Sequence, residues 1–440
     1  MDLGSLLRHY RTRARLTQIE LADLTTISLR TIRNLESGRT VRPRPGTIRL
    51  LAEGLRLTAE SRATLSLAAD QSPVSAALDA AQGRLPEPTG VLCGNPIGRD
   101  RDIRSLLEAV RTGASQMISI TGFGGVGKSR LAAALARESQ RTLRTPWLWL
   151  RAAGPWESLT GSVGETFTRW NRGLVDGQPE AAEELAQMIA ERPFLIVVDD
   201  APGRGSSLDA ALHQMIVRCP RLRIVETTRR PQHQAGRRIV RLKPLHVPVL
   251  DVVMLRHMDE HPVLQFFLPL VRAAQPDFEE SRENLRHALD VCRSLDGLPL
   301  ALEAAARWFA CYPPAQVAQA ARDDPGMLAA SSDGLTRRNW LLEALDDALG
   351  CLTAGQRALL LELAARIAPW TGEELAAEMR SMSADLTASI HALLAVGVIR
   401  SADAGDQAFT VLNVLRSALV STPGLSPLPG GSRSKFDWVP

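Results

Sequence analysis

Met117–Ala136 reads MISITGFGGVGKSRLAAALA. Met117–Thr121 is a short apolar, β-branched run of the kind that forms a buried strand, and an alanine- and leucine-rich helix is expected from near Ser129. Between them Gly122, Gly124, Gly125 and Gly127 frame Lys128 and Ser129 in the pattern G-x-x-x-x-G-K-[ST], in the strand–loop–helix setting that a phosphate-binding loop requires. The glycines let successive backbone N–H groups, that of Val126 included, turn toward phosphate oxygens where a Cβ would block the approach. The helix N-terminus, from Lys128 through Arg130, adds its positive dipole end. Lys128 neutralises the β/γ charge and the Ser129 hydroxyl ligates Mg²⁺. The chain holds only three lysines (Lys128, Lys243, Lys435), so one in this slot is a strong signal. The expected ligand is a nucleoside triphosphate with Mg²⁺.

Downstream, Trp147–Arg151 is predicted as a second strand, and Phe194–Val198 is an apolar run that ends in Asp199-Asp200. An acid at the carboxyl end of a buried strand can hold Mg²⁺, and a second can orient the attacking water. Leu222–Val225 is a further strand, running into Glu226-Thr227-Thr228-Arg229-Arg230, where an arginine on the loop side can report a γ-phosphate. Strands alternating with helices predict a doubly wound parallel sheet, in an α and α/β multidomain chain.

The N-terminal segment reads differently. Thr17-Gln18-Ile19-Glu20 is a capping box, and Ser28 is a second N-cap opening a helix over Leu29–Glu36, with Ile32 and Leu35 facing inward. A helix near Ser5–Arg13 precedes both. Residues 1–70 hold 12 arginines against 7 acids while the whole chain is only +4, which points this part toward nucleic acid. LTQIELADLTTISLRTIRNLESGRT is similar to the Cro/repressor-type (XRE-like) helix-turn-helix family. That resemblance implies that Leu29, Arg30, Arg33 and Asn34 face base edges in the major groove of a double-stranded operator. It implies phosphate contacts from Gln18, Ser28, Arg39 and Arg42.

Residues 71–95 read as a proline-interrupted linker, with a helical turn or two from Ser72. After Arg241–Leu245, apolar helical spacing runs through Leu300 and Phe309 and predicts a small helical domain. His257-Met258-Asp259-Glu260-His261 fits H-x-x-E-H, an inverted zinc-protease signature. No later glutamate-bearing helix offers a third ligand, and a solvated charged helix face is the expected reading. Asn339–Thr353, Gln356–Ala368, Leu375–Met379 and Ser389–Val398 read as helices, and Val396–Arg400 with Gln407–Leu412 as a hairpin. Helices followed by a hairpin predict a winged helix, and Ser421–Pro440 is a Pro/Gly/Ser-rich tail.

The five scattered cysteines lack C-x-x-C spacing and predict a reducing cytoplasm without structural zinc or disulfides. No apolar stretch approaches a membrane span, and no signal peptide is evident. Arginine so dominates lysine that a high-GC bacterial genome is expected. The expected limits are 1–70, 71–95, 96–240, 241–335, 336–422 and 423–440.

The order of motifs resembles the NB-ARC branch of the STAND nucleotide switches, over roughly Pro96–Thr422. IGRDRDI resembles the family's opening segment, ITGFGGVGKSRLA its P-loop, FLIVVDD its Walker B, IVETTRR its sensor strand and Gly297–Ala301 its GLPLA motif. The resemblance implies an ATP/ADP switch with slow hydrolysis. Lys128 and Ser129 would serve phosphates and Mg²⁺, Asp199 Mg²⁺, and Asp200 the water. Arg99 would serve the nucleotide site, Arg229 would sense the γ-phosphate and Pro299 would pack near the adenine. Two departures stand out. The family often has a His-Asp pair touching the ADP β-phosphate where this chain reads TVLNVL. Relatives also continue into repeats that sense a signal, so an inducer or sensor protein is expected as a partner, with self-association in the ATP form. Two rival readings share the P-loop: an AAA+-like replication or loader ATPase, and a STAND defence protein whose head recruits an effector.

Overall fold

This computed structural model describes residues 3–37, 43, 45–58, 61, 62, 65, 96–151, 162–189, 192–201, 206–229, 236–248, 261–329, 340–366, 368–378, 383–402 and 408–421. The linker, the tail, the first four residues of the H-x-x-E-H stretch, Arg39 and Arg42 lie outside them.

The head contains α1 (Leu3–Arg13), α2 (Gln18–Thr25), α3 (Leu29–Glu36) and α4 (Pro45–Gly54). The capping box is formed at both ends, Glu20 N–H donating to Thr17 Oγ1 at 3.2 Å and Thr17 N–H to the Glu20 carboxylate at 2.7 Å. Thr26 then turns left-handed (φ +56°), and the Ser28 hydroxyl accepts the Thr31 N–H. These two short breaks set α3 across α2, so that Leu7, Leu21, Ile32, Leu35 and Leu51 close one small core.

The central layer begins with α5 (Asp100–Thr112), β1 (Met117–Thr121), α6 (Lys128–Leu143) and β2 (Trp147–Arg151). It continues with α7 (Ser162–Val175), α8 (Pro179–Ile189), β3 (Phe194–Asp199), α9 (Ser207–Arg218), β4 (Leu222–Thr227) and β5 (Arg237–Arg241). The strands form one parallel sheet in the order β2-β3-β4-β1-β5. Both faces are buried: Ile118, Ile120 and Val197 point into one core, Met117, Leu150 and Ile196 into the other, as near-continuous apolar strands require. Because β4 lies between β1 and β3, the carboxyl ends of all three converge beside the glycine-rich loop. Two details differ from the sequence reading. β4 runs on to Thr227, and β5 was not anticipated, since RRIVR at a sheet edge is short, arginine-flanked and only half-buried.

Next come α10 (Pro262–Ala274), α11 (Arg282–Ser294), α12 (Pro299–Ala306), α13 (Pro314–Asp323) and α14 (Pro325–Ala329). A C-terminal module follows: α15 (Trp340–Gly350), α16 (Ala354–Ala364), β6 (Trp370–Thr371), α17 (Gly372–Glu378), α18 (Ser383–Val396), β7 (Ile399–Ser401), β8 (Ala408–Val411) and α19 (Asn413–Ser421). The hairpin β7–β8 gains β6 as a third antiparallel strand, in the order β6-β8-β7. α16 stops at Ala364, short of the sequence expectation, ahead of Pro369. α18 starts at Ser383, six residues before the expected Ser389. One continuous buried cluster runs from α5 and the sheet through α10–α14 to α19, so this module is packed onto the sheet layer. His261 is the N-cap of α10, its Nδ1 accepting the Val263 N–H, rather than part of a charged helix face.

Candidate functional site

The glycine-rich loop leaves β1 and turns into α6 at Gly127, whose φ of +100° disfavours any side chain. Lys128 folds back over the loop, Nζ donating to the Gly122 carbonyl at 2.9 Å and the Phe123 carbonyl at 3.1 Å. Burial first, and the Arg229 charge second, push its ammonium down to about 8 against the pull of Asp200 and Asp199.

The opposite wall is β3. Ser129 Oγ donates to Asp199 Oδ1 at 2.5 Å, joining the two groups that would share a Mg²⁺ ion. Thr227 Oγ1 donates to the same Asp199 oxygen at 2.7 Å and accepts the Asp200 N–H at 2.9 Å. This one hydroxyl therefore fixes both acids. Asp200 stands in the left-handed region (φ +55°), a conformation that swings its carboxylate off the strand toward β4. There it meets Arg229, whose Nε lies 3.3 Å from Asp200 Oδ1, while the other end of the same guanidinium pairs with Asp347 on α15. The residues fit a Mg²⁺–nucleotide: a cradle of glycines, one ammonium, and a hydroxyl–carboxylate pair at metal-sharing distance.

Other expected site residues take supporting positions. Arg99 is buried and donates to the Lys243 carbonyl at 2.7 Å and the Val126 carbonyl at 3.4 Å, so it braces the loop's backbone and does not face its mouth. Burial lowers its pKa, opposed by Asp102. Arg130 pairs with Glu303 of α12 at 2.9 Å. Pro299 is the first residue of α12, and the next residue, Leu300, donates its N–H to the Gly125 carbonyl at 3.2 Å. Sequence reasoning missed Asp347, which stands 118 residues from Arg229 with no local signal, and it left Thr227 without a role although the TTR stretch contains it.

On the head, Arg30 and Arg33 are exposed on α3, with Leu29 and Asn34 half-buried beside them. Ser28 uses its hydroxyl to cap α3. Gln18 does not stand free for a phosphate: its amide donates to Glu36 Oε2 at 2.7 Å, and Arg11 donates to both Glu36 oxygens at 2.6 and 3.0 Å. Burial alone would raise the Glu36 pKa, but the Arg11 and Gln18 hydrogen bonds and the Arg11 and Arg8 charges hold it below the usual range. Glu36 thus ties α1 and α2 to the end of α3 and sets the angle at which Arg30 and Arg33 are presented.

Fold and site together define a class, a helix-turn-helix head joined to a P-loop NTPase-like body. Comparison with known proteins agrees: the family described as helix-turn-helix domain matches residues 2–65, and that described as AAA ATPase domain matches residues 95–267. A Mycobacterium tuberculosis protein named as an HTH-type transcriptional regulator is 30% identical over 272 residues, covering 61% of this chain and 28% of its own length. An uncharacterised protein of the same organism is 25% identical over 270 residues, 60% of this chain and 62% of its own. This chain therefore spans little more than a quarter of the named regulator. A Pyrococcus horikoshii STAND protein with a tetratricopeptide repeat sensor aligns over 73% of this chain and 42% of its own at 16% identity, with a TM-score of 0.28. Among the described residues no helix is long and apolar enough to cross a membrane.

Proposed function

We propose that this chain is an ATP/ADP-switched, DNA-binding regulator of transcription of the NB-ARC/STAND type. The observation that carries the reading is Arg229, one side chain paired with the acid beside the phosphate loop, Asp200, and with Asp347 of the C-terminal module. A γ-phosphate beside Lys128 offers this guanidinium a doubly charged, bidentate alternative to both carboxylates. Occupancy of the loop and position of the module are then linked through one residue.

In this account Lys128 and the backbone N–H groups from Gly124 to Ser129 hold the phosphates. Ser129 and Asp199 hold Mg²⁺, which when bound neutralises phosphate charge. Arg99 braces the loop and Pro299 lies toward the base. Asp200 is the acid that orients water, and its pairing with Arg229 keeps hydrolysis slow, so that turnover resets the switch. The order helix–strand–helix–helix–strand–strand from α16 to β8 supports a winged helix, with domain limits near 70, 95, 240, 335 and 422.

The head reads double-stranded DNA through Arg30 and Arg33, and two ATP-bound copies pair across a two-fold operator. The regulator's name supports the transcriptional role, and the absence of a spanning helix among the described residues fits a cytoplasmic protein. The test is sedimentation and operator titration of the full chain with ATP–Mg²⁺, with ADP and with neither. Self-association and tighter operator binding in ATP are expected. Identical mass and affinity in all three would refute the switch.

A further inference from the structure

The joint between α11–α12 and the C-terminal module is built on one buried carboxylate. Asp296 sits in the turn between those helices, left-handed (φ +56°) and 3% exposed. Its Oδ1 accepts Arg400 Nε of β7 at 3.3 Å and its Oδ2 accepts the Val414 N–H at 3.2 Å, with the Asn413 N–H also bonding to the carboxylate. The positive end of α19 is therefore directed at a protein carboxylate. Asn413 Nδ2 adds a bond to the Arg293 carbonyl at 3.4 Å.

The module held by this joint lies on the glycine-rich loop. A Cβ on Gly124 would clash with Ala344 Cβ, and one on Gly125 would come within 3.0 Å of the Trp340 ring. At the corner between α18 and β7, Gly397 is left-handed (φ +80°), and a Cβ there would lie 2.6 Å from the Phe123 backbone nitrogen. Gly397 lies against the backbone of the loop, and Gly124 and Gly125 leave room for the side chains of Ala344, Leu300 and Trp340.

We propose that Asp296 and Arg400 form a charge pin that holds the C-terminal module as a lid over the phosphate loop in the nucleotide-free chain. Every bond in the pin joins protein to protein. The pairing is finely balanced. Burial pushes the Asp296 carboxyl up to about 6 against the pull of Arg400 and the α19 amides, with Arg416 also nearby. Removing Arg400 strands a buried charge, and swinging the module away to hydrate Asp296 relieves it. Asparagine at 296 keeps an acceptor for the α19 amides and removes the buried charge.

The proposal rests on the reading of the loop as a nucleotide site, and its test separates the two. Hydrogen exchange of the full chain without nucleotide is followed in peptides spanning Gly122–Ser129 and Trp340–Gly350. Stopped-flow association of a fluorescent ATP analogue is recorded beside it. Arg400→Ala should raise exchange in both peptides and speed association by about tenfold. The double variant Arg400→Ala/Asp296→Asn should return both to within about twofold of wild type. Gly397→Ala, which drives a methyl into Phe123 and leaves the pin intact, should open the same peptides. Loop protection unchanged in Arg400→Ala, a double variant as open as the single, or exchange rising evenly through the whole chain would overturn the pin. The expected exchange pattern in a chain that binds no ATP analogue would keep the pin and refute the nucleotide reading.

Discussion

Arginine does two different jobs in the head and in the body. On α3, Arg30 and Arg33 stand exposed, with no ion pair among the described residues. In the body, Arg99 braces the loop, Arg130 holds Glu303, Arg229 spans Asp200 and Asp347, and Arg400 holds Asp296. Unpaired surface charge is available to any polyanion and is screened by salt. Paired charge is already committed, and a ligand can reach it only by displacing a partner. The head is thus equipped to bind, and the body to exchange one set of contacts for another.

The contrast breaks most sharply at Lys128. Lys128→Ala should cost the body about 3 kcal/mol of ATP affinity, a loss of roughly a hundredfold by calorimetry, and leave DNA binding by the head intact. Unchanged affinity would remove the loop from the account. Glu36→Ala should destabilise the head by about 3 kcal/mol, because it deprives the half-buried Arg11 of its partner; hydrogen exchange in α1–α3 reads the loss. The same carboxyl has a depressed pKa, so its contribution is present above the ordinary carboxylate range and is lost as pH falls through its folded value. Exchange in α1–α3 should therefore rise in acid in wild type and change less in the variant.

Arg30→Ala should be milder and selective, costing about 1–3 kcal/mol at one base pair if its contact is bidentate. Equal weakening on every DNA sequence would make Arg30 a phosphate contact. The smallest effect is one of protons. Lys128 is pushed down to about 8, so the empty loop loses its charge as pH rises through that value, and binding a polyanion must restore it. ATP affinity should fall above this pH, with uptake of up to about one proton measured in buffers of different ionisation enthalpy.

Much of this was legible because it is local. Two capping residues eleven positions apart, Thr17 and Ser28, dictate the helix-turn-helix, and the β1–loop–α6 unit needs only its own apolar strand and glycines. The place of Asp199 beside the loop could be read because a buried apolar strand that ends in acids has few other uses. The rest was hidden for physical reasons. β5 pairs at an edge, where alternation is weak, and β6 has two residues. Gln18 carries a phosphate-binding residue's chemistry, and only tertiary structure brings Glu36 to it. Asp347 and Asp296 look like ordinary helix-face and turn acids until folding sets them against Arg229 and Arg400.

The central claim is that Arg229 couples the phosphate loop to the position of the C-terminal module, and through it to the head. The most direct measurement is the ratio of operator affinities in ATP–Mg²⁺ and in ADP, for wild type and for Arg229→Ala. Wild type should bind at least about fivefold more tightly in ATP, as a coupling of 1 kcal/mol or more requires. In Arg229→Ala the ratio should fall to about one, with ATP affinity within a few-fold of wild type. A variant that keeps the full ratio, or a wild type that shows none, would contradict the account.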